Sequence, residues 1–196
     1  MGLSQWSEIA LFWLLAFALL ALLGLNLWPR IARGVSGFRP GRAATRTWQR
    51  VPELRLLALA LPVEFLWEVA QFPLYDVWHD NGWGYILYGL VHCTLGDLLI
   101  LLVTYALIAV LRGRSWYLHF PISGGFAFTA LGVGYTVFSE LTNVRVESTW
   151  GYTELMPIIP VLEVGGTPFL QWLLIPPVLV WMMRLLSHHD HPQSGR

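Results

Sequence analysis

Five stretches of this sequence are each long and apolar enough to cross a lipid bilayer, and nearly all its arginines fall between them on one side. The spans read at residues 9–28, 55–72, 85–111, 120–142 and 168–186. That pattern predicts an all-α protein, an integral membrane bundle of about five transmembrane helices forming a single domain over residues 1–196. A signal peptide needs a basic leader and a small-residue cleavage site. Here Glu8 precedes the first apolar run and arginines follow it, so the segment is expected to stay attached.

Composition agrees. Residues are 56% hydrophobic and only 12% charged, with mean hydropathy +0.56, against about 45–50% and 25% in a soluble domain. All 12 basic residues are arginine, and six of them (Arg30, Arg33, Arg39, Arg42, Arg46 and Arg50) lie in the loop at 29–50. By the positive-inside rule this loop is cytoplasmic. Arg112, Arg114 and Arg184 then also fall inside, and Arg145 alone lies outside, in a periplasmic loop at 144–166. The expected topology has the N-terminus outside, the C-terminus cytoplasmic and a mobile tail at 187–196, in a bacterial inner membrane. A net charge of +0 gives no attraction for nucleic acid, and a single cysteine excludes an internal disulfide.

Charged side chains in hydrocarbon cost at least about 2.5–3.5 kcal/mol each, so those retained usually face protein or water. Glu64, Glu68 and Gln71 follow i, i+4, i+7 spacing and share one helical stripe in the outer half of the second span. His92, Cys93 and Asp97 lie in the outer half of the third, with Cys93 and Asp97 on one face and His92 about 100° away from Cys93. Thr129, Thr136, Glu140 and Asn143 form a stripe on the fourth, and Gln171 opens the fifth at the same level. A shared polar pocket in the periplasmic half is the economical explanation. Two carboxylates one turn apart in a low dielectric resist double ionisation, so Glu64 and Glu68 are expected to share a proton, or to gain a cation or His92 as partner.

Three functions compete. The first is an intramembrane acid–base enzyme on a lipid-soluble, isoprenoid-like substrate, with Glu64, Glu68, His92, Asp97 and Glu140 as its catalytic set. The second is a metal-binding or transport protein whose divalent metal is held by His92, Glu64, Glu68 and Glu140, with Cys93 a further candidate ligand. The third is a non-catalytic accessory subunit of a larger membrane complex, docking through Gly124, Gly125, Gly132 and Gly134. The same carboxylates also serve as interhelical glue, although four acidic groups exceed what packing needs.

Elsewhere, the loop at 144–166 holds an apolar run twice broken by proline, suited either to lie over the pocket as a lid or to anchor at the interface through Trp150 and Tyr152. Thr167 and Pro168 read as N-cap and first residue of the last span, and Pro176 and Pro177 are expected to bend it. His188, His189 and His191 make a His-rich tail in which metal binding is usually incidental. P-loop, H-E-x-x-H, C-x-x-C and G-x-S-x-G motifs are absent, and the sequence names no cofactor.

Residues 62–75 (PVEFLWEVAQFPLY), 92–97 (HCTLGD), 138–152 (FSELTNVRVESTWGY) and 168–172 (PFLQW) resemble a family of small, uncharacterised bacterial polytopic inner-membrane proteins. That resemblance implies a shared fold and carries no activity with it. Pro62-Val63-Glu64, with Glu140 and Trp150-Gly151-Tyr152, is also similar to membrane carotenoid hydratases and lycopene cyclases, where a Pro-x-Glu turn and a later acidic residue before a Gly-x-Tyr stretch recur. The HCTLGD and Gln171 segments have no counterpart there.

Overall fold

The computed structural model describes residues 51–190, with side chains as far as residue 187. The expected span at 9–28, the loop at 29–50 and most of the tail lie outside the described residues.

Helix α1 (Pro52–Gln71) runs into a 3-10 turn (Phe72–Leu74), and a four-residue helix α2 (Val77–Asp80) follows. Helix α3 (Trp83–Arg112) stops at Gly113, whose φ of 84° lies in the region that favours glycine. The short α4 (Trp116–His119) leads to α5 (Pro121–Leu141), which starts on a proline whose missing N–H has no partner to lose there. A π turn (Thr142–Val146) continues α5, and strands β1 (Ile158–Ile159) and β2 (Val164–Gly165) pair antiparallel before α6 (Gly166–Asp190). The described residues are therefore all-α apart from one minimal hairpin and one isolated bridge, between Tyr75 and Tyr152. Among the described residues four helices, α1, α3, α5 and α6, are long and apolar enough to cross a membrane.

Polarity runs from the inside out. Leu66, Leu111, Ile122, Phe126 and Trp181 are exposed, while Glu64, Glu68, Gln71, Glu140 and Gln171 are buried. Apolar surface on this scale suits lipid as the outer solvent, as in a membrane protein. Two buried threonines are satisfied within their own helix: Thr94 and Thr104 donate to the carbonyls of Leu90 and Ile100, each at 2.8 Å.

Contacts define two ends. At the first, Arg114 grips Glu53 with two hydrogen bonds, Arg55 donates to Ser187 at 2.7 Å, and Arg112 donates to Ser123. The start of α1, the end of α3, the start of α5 and the end of α6 therefore meet there, and the four helices alternate in direction. Trp116 fills this end against Tyr105 and Phe128, at centroid distances of 5.3 and 5.7 Å. At the second end the loop after α5 is stitched to the turn after α1.

Two expectations are corrected. Gly124 and Gly132 do not face a partner protein. A Cβ at either would fall inside the ring of the chain's own Trp116 or Trp172, whereas Gly134 has open space beside it. Thr167 does not cap α6, which begins one residue earlier; its hydroxyl donates to the Met156 sulfur at 3.2 Å. Pro176 and Pro177 both lie inside the continuous α6.

Gly132→Leu is expected to lower the thermal unfolding midpoint in detergent, by an overpacking cost of about 1–3 kcal/mol. Gly134→Leu should leave that midpoint unchanged.

Candidate functional site

The stripe of α1 delivers Glu64, Glu68 and Gln71 to one buried face. Gln171 approaches from the second turn of α6 and Asp97 from the middle of α3. Gln171 is the hub. Its Nε2 lies 2.9 Å from Glu64 Oε2, 3.0 Å from Asp97 Oδ2 and 3.3 Å from Glu68 Oε1. Gln71 Nε2 donates to Glu68 Oε1 at 2.6 Å and to Gln171 Oε1 at 3.0 Å, and the Trp67 indole donates to Gln71 Oε1 at 3.2 Å. Donors therefore pass in one direction, from indole to amide to amide to carboxyls.

Counting hydrogens exposes a shortfall. A primary amide has two N–H donors, yet three carboxyl oxygens surround the Gln171 nitrogen. Glu68 and Asp97 also lie within hydrogen-bonding reach of each other. None of the hydrogen bonds or ion pairs found among the described residues brings an arginine or histidine to Glu64, Glu68 or Asp97.

Glu140 belongs to a neighbouring network. It accepts from the Tyr75 hydroxyl at 3.4 Å and from the Tyr152 hydroxyl in a shorter bond, while the Gly165 N–H donates to the Tyr152 oxygen at 2.9 Å. Glu68 is close enough to act electrostatically on both Tyr75 and Glu140. Burial pushes both phenols above their ordinary range, and Glu140 adds to this, chiefly by its charge at Tyr75 and first by its hydrogen bond at Tyr152.

The loop that carries Tyr152 is tied down. Tyr75 and Tyr152 form a β-bridge, Asp76 N–H donates to the Gly151 carbonyl at 3.1 Å, and Gly151 N–H donates to Asp76 Oδ1 at 2.8 Å. Thr153 adds two bonds to the Leu74 carbonyl, at 2.9 and 3.1 Å. Gly151 has no room for a Cβ, which would strike the Asp76 carboxylate. Trp150 stacks edge-on against Tyr75 at 6.4 Å. The two aromatic residues expected to anchor the loop at the interface thus turn inward, and the expected lid is a stitched cover.

No protein-family model, no curated protein and no solved structure matches this chain. The site must be read from its own geometry.

The structure brings Glu64, Glu68 and Asp97 together and sets Glu140 beside them. It does not bring His92. That side chain is exposed and stacks on Tyr88, with ring centroids 5.4 Å apart and planes 21° apart. Cys93, a free thiol, packs as a small apolar group against Phe72, Ile86 and Leu90. Among the described residues no three His, Cys, Asp or Glu side chains are arranged to hold a metal ion. The expected shared polar pocket is a buried cluster, with Glu64, Glu68 and Gln171 at 1%, 4% and 2% exposure and Asp97 half-buried.

Sequence reasoning missed the two tyrosines. Tyr75 was within reach, since 64, 68, 71 and 75 continue one stripe at i, i+4, i+7 and i+11. Tyr152 had no such signal, because only the loop's tertiary path brings it back.

Gln171→Leu is expected to destabilise the protein by about 1–3 kcal/mol by stripping the carboxyls of their donor. Adding Glu64→Gln, which supplies an N–H pair, should recover part of that loss in thermal unfolding. The tyrosines predict a pH effect of definite sign. Because their folded values lie above the ordinary 10.0, the stability they contribute is full below pH 10 and declines as pH rises towards the folded values. Unfolding followed across that alkaline range should show a smaller decline in the Tyr75→Phe/Tyr152→Phe double variant.

Proposed function

We propose that this chain is a multi-pass protein of the bacterial inner membrane, and that its acid–amide cluster is an intramembrane acid–base site for a lipid-soluble, isoprenoid-like substrate. The arginines support the orientation, with their end of the bundle in the cytoplasm, the N-terminus outside and the cluster in the outer half.

The observation that carries the reading is the convergence of Glu64, Glu68 and Asp97 on one amide without a cation among their hydrogen-bonding partners. Glutamines alone would serve to join helices. A hydrogen bond between two carboxyl groups needs a proton on one of them, since an ionised carboxylate only accepts. Glu68 and Asp97 are then the proton-holding pair, and Glu64, one turn away on the same stripe, is the acceptor. Glu140, already bonded by two phenols, fixes the cover and sets the local field.

A neutral carboxylic acid in apolar surroundings is a competent general acid. The Glu68–Asp97 pair gives its proton to an alkene carbon of the substrate, and Glu64 recovers one from an adjacent carbon. The cluster's proton count is unchanged, so an isomerisation or cyclisation by this route needs no co-reactant. The stitched outer loop closes the aqueous end of the bundle, which supports arrival of the substrate from the bilayer. The resemblance of Pro62-Val63-Glu64, Glu140 and Trp150-Gly151-Tyr152 to carotenoid hydratases and lycopene cyclases points to the same class of chemistry.

Organic extraction of the detergent-purified chain, followed by mass spectrometry, tests the reading. It predicts a bound isoprenoid whose conversion in a reconstituted assay falls by about 10²–10⁴-fold in Glu68→Gln or Asp97→Asn, with helical content retained. Unchanged conversion in both variants would overturn it. So would near-stoichiometric metal that those variants lose, which would favour the metal-binding alternative. Co-elution with a larger complex, indifferent to both substitutions and without bound lipid, would favour an accessory subunit.

A further inference from the structure

At the arginine-rich end, opposite the acid cluster, an apolar groove of about 320 Å³ runs between the start of α5 and the second half of α6. Ile122, Gly125, Phe126 and Thr129 line one wall, and Pro177 and Val180 the other. Gly125 keeps it open without being required by the chain's own packing. An added Cβ would meet only Val180 Cγ1, at 3.9 Å, in contrast to the ring-filled seats at Gly124 and Gly132. Ile122 and Phe126 are 86% and 76% exposed, so this wall is left open by the described residues.

A charge lies just beyond the groove on α6. Pro177, Val180 and Arg184 follow i, i+3, i+7 spacing, which sets Arg184 on the groove-facing stripe of α6, about one turn beyond Val180 towards the arginine-rich end. Its Nε is buried and has no hydrogen-bond partner among the described residues, and none of the ion pairs found among them involves it. Arg114, at the same end, has Glu53. A buried guanidinium N–H without an acceptor is costly, and an arginine this close to the end of a membrane span sits at headgroup depth. Trp181, beside it and 60% exposed, is a residue of the same interfacial kind.

We propose that this groove holds one acyl chain of an anionic phospholipid whose phosphate accepts from the Arg184 guanidinium. Charge complementarity selects the anionic headgroup. The apolar walls running from Arg184 towards the bilayer interior select a lipid over a free anion.

Native mass spectrometry of the delipidated full chain, titrated with phosphatidylglycerol and separately with phosphatidylcholine of the same acyl chains, tests this. The expected result is one phosphatidylglycerol bound in preference to phosphatidylcholine, with affinity about tenfold lower in Arg184→Gln, the worth of one charge-assisted hydrogen bond. Arg184→Lys should retain most of the preference, and Gly125→Leu should displace both lipids by filling the groove. Thermal unfolding of each variant without lipid identifies any that fails to fold, and the unsubstituted chain's preference for phosphatidylglycerol then carries the test. Equal binding of the two lipids, or a preference unchanged by Arg184→Gln, would overturn the assignment. A dimer that Gly125→Leu dissociates, with no lipid retained, would overturn it in favour of a second copy of the chain.

Discussion

Three carboxyl groups meeting on one glutamine, inside a bundle whose outer surface is apolar, create a charge problem that the rest of the molecule is arranged around. In water such groups ionise freely. In a low dielectric each uncompensated charge costs several kcal/mol, and like charges a few ångströms apart cost more. Nature's usual remedy, an adjacent arginine, is not used among the described residues: Arg55, Arg112, Arg114 and Arg184 lie at the opposite end, and Arg145 pairs with Glu163. Amides are the remedy adopted. Gln71 and Gln171 supply directed N–H groups without adding charge, and the remaining shortfall of hydrogens is what makes a proton-holding role coherent.

That separation of charge also organises the fold. The arginine-rich end is held by the Glu53–Arg114 fork and by a cluster of large rings seated on Gly124. The acidic end is held by hydrogen bonds between the α1 turn and the returning loop, with Tyr152 reaching Glu140. Gly151 bonds to Asp76 through both its N–H and its carbonyl, and Thr153 bonds to Leu74.

Much of this was legible in the sequence, for reasons that differ by residue. The spans were readable because hydrocarbon tolerates no unpaired backbone, so apolar length translates directly into helix. Glu64, Glu68 and Gln71 were readable as one face because helical periodicity is local. Asp97 was assigned to the same depth from its position in α3 alone. His92 went wrong because a residue one 100° step from the buried face is decided by packing, and packing turned it towards Tyr88. The glycines of α5 misled for a related reason. Small residues mark a close approach but do not say whose ring arrives, and here Trp116 and Trp172 of the same chain do so. Gln171 was placed at the right level, yet its role as hub depends on which helices are neighbours, information that no single segment carries.

Infrared spectroscopy of the chain in lipid nanodiscs at neutral pH tests the central claim most directly, because the C=O stretch of a protonated carboxyl is separate from that of a carboxylate. The account predicts a protonated-carboxyl band, shifting on exchange into heavy water and weakened in Glu68→Gln and in Asp97→Asn. A spectrum with that band absent, all the carboxyls ionised and the protein still folded, would contradict it.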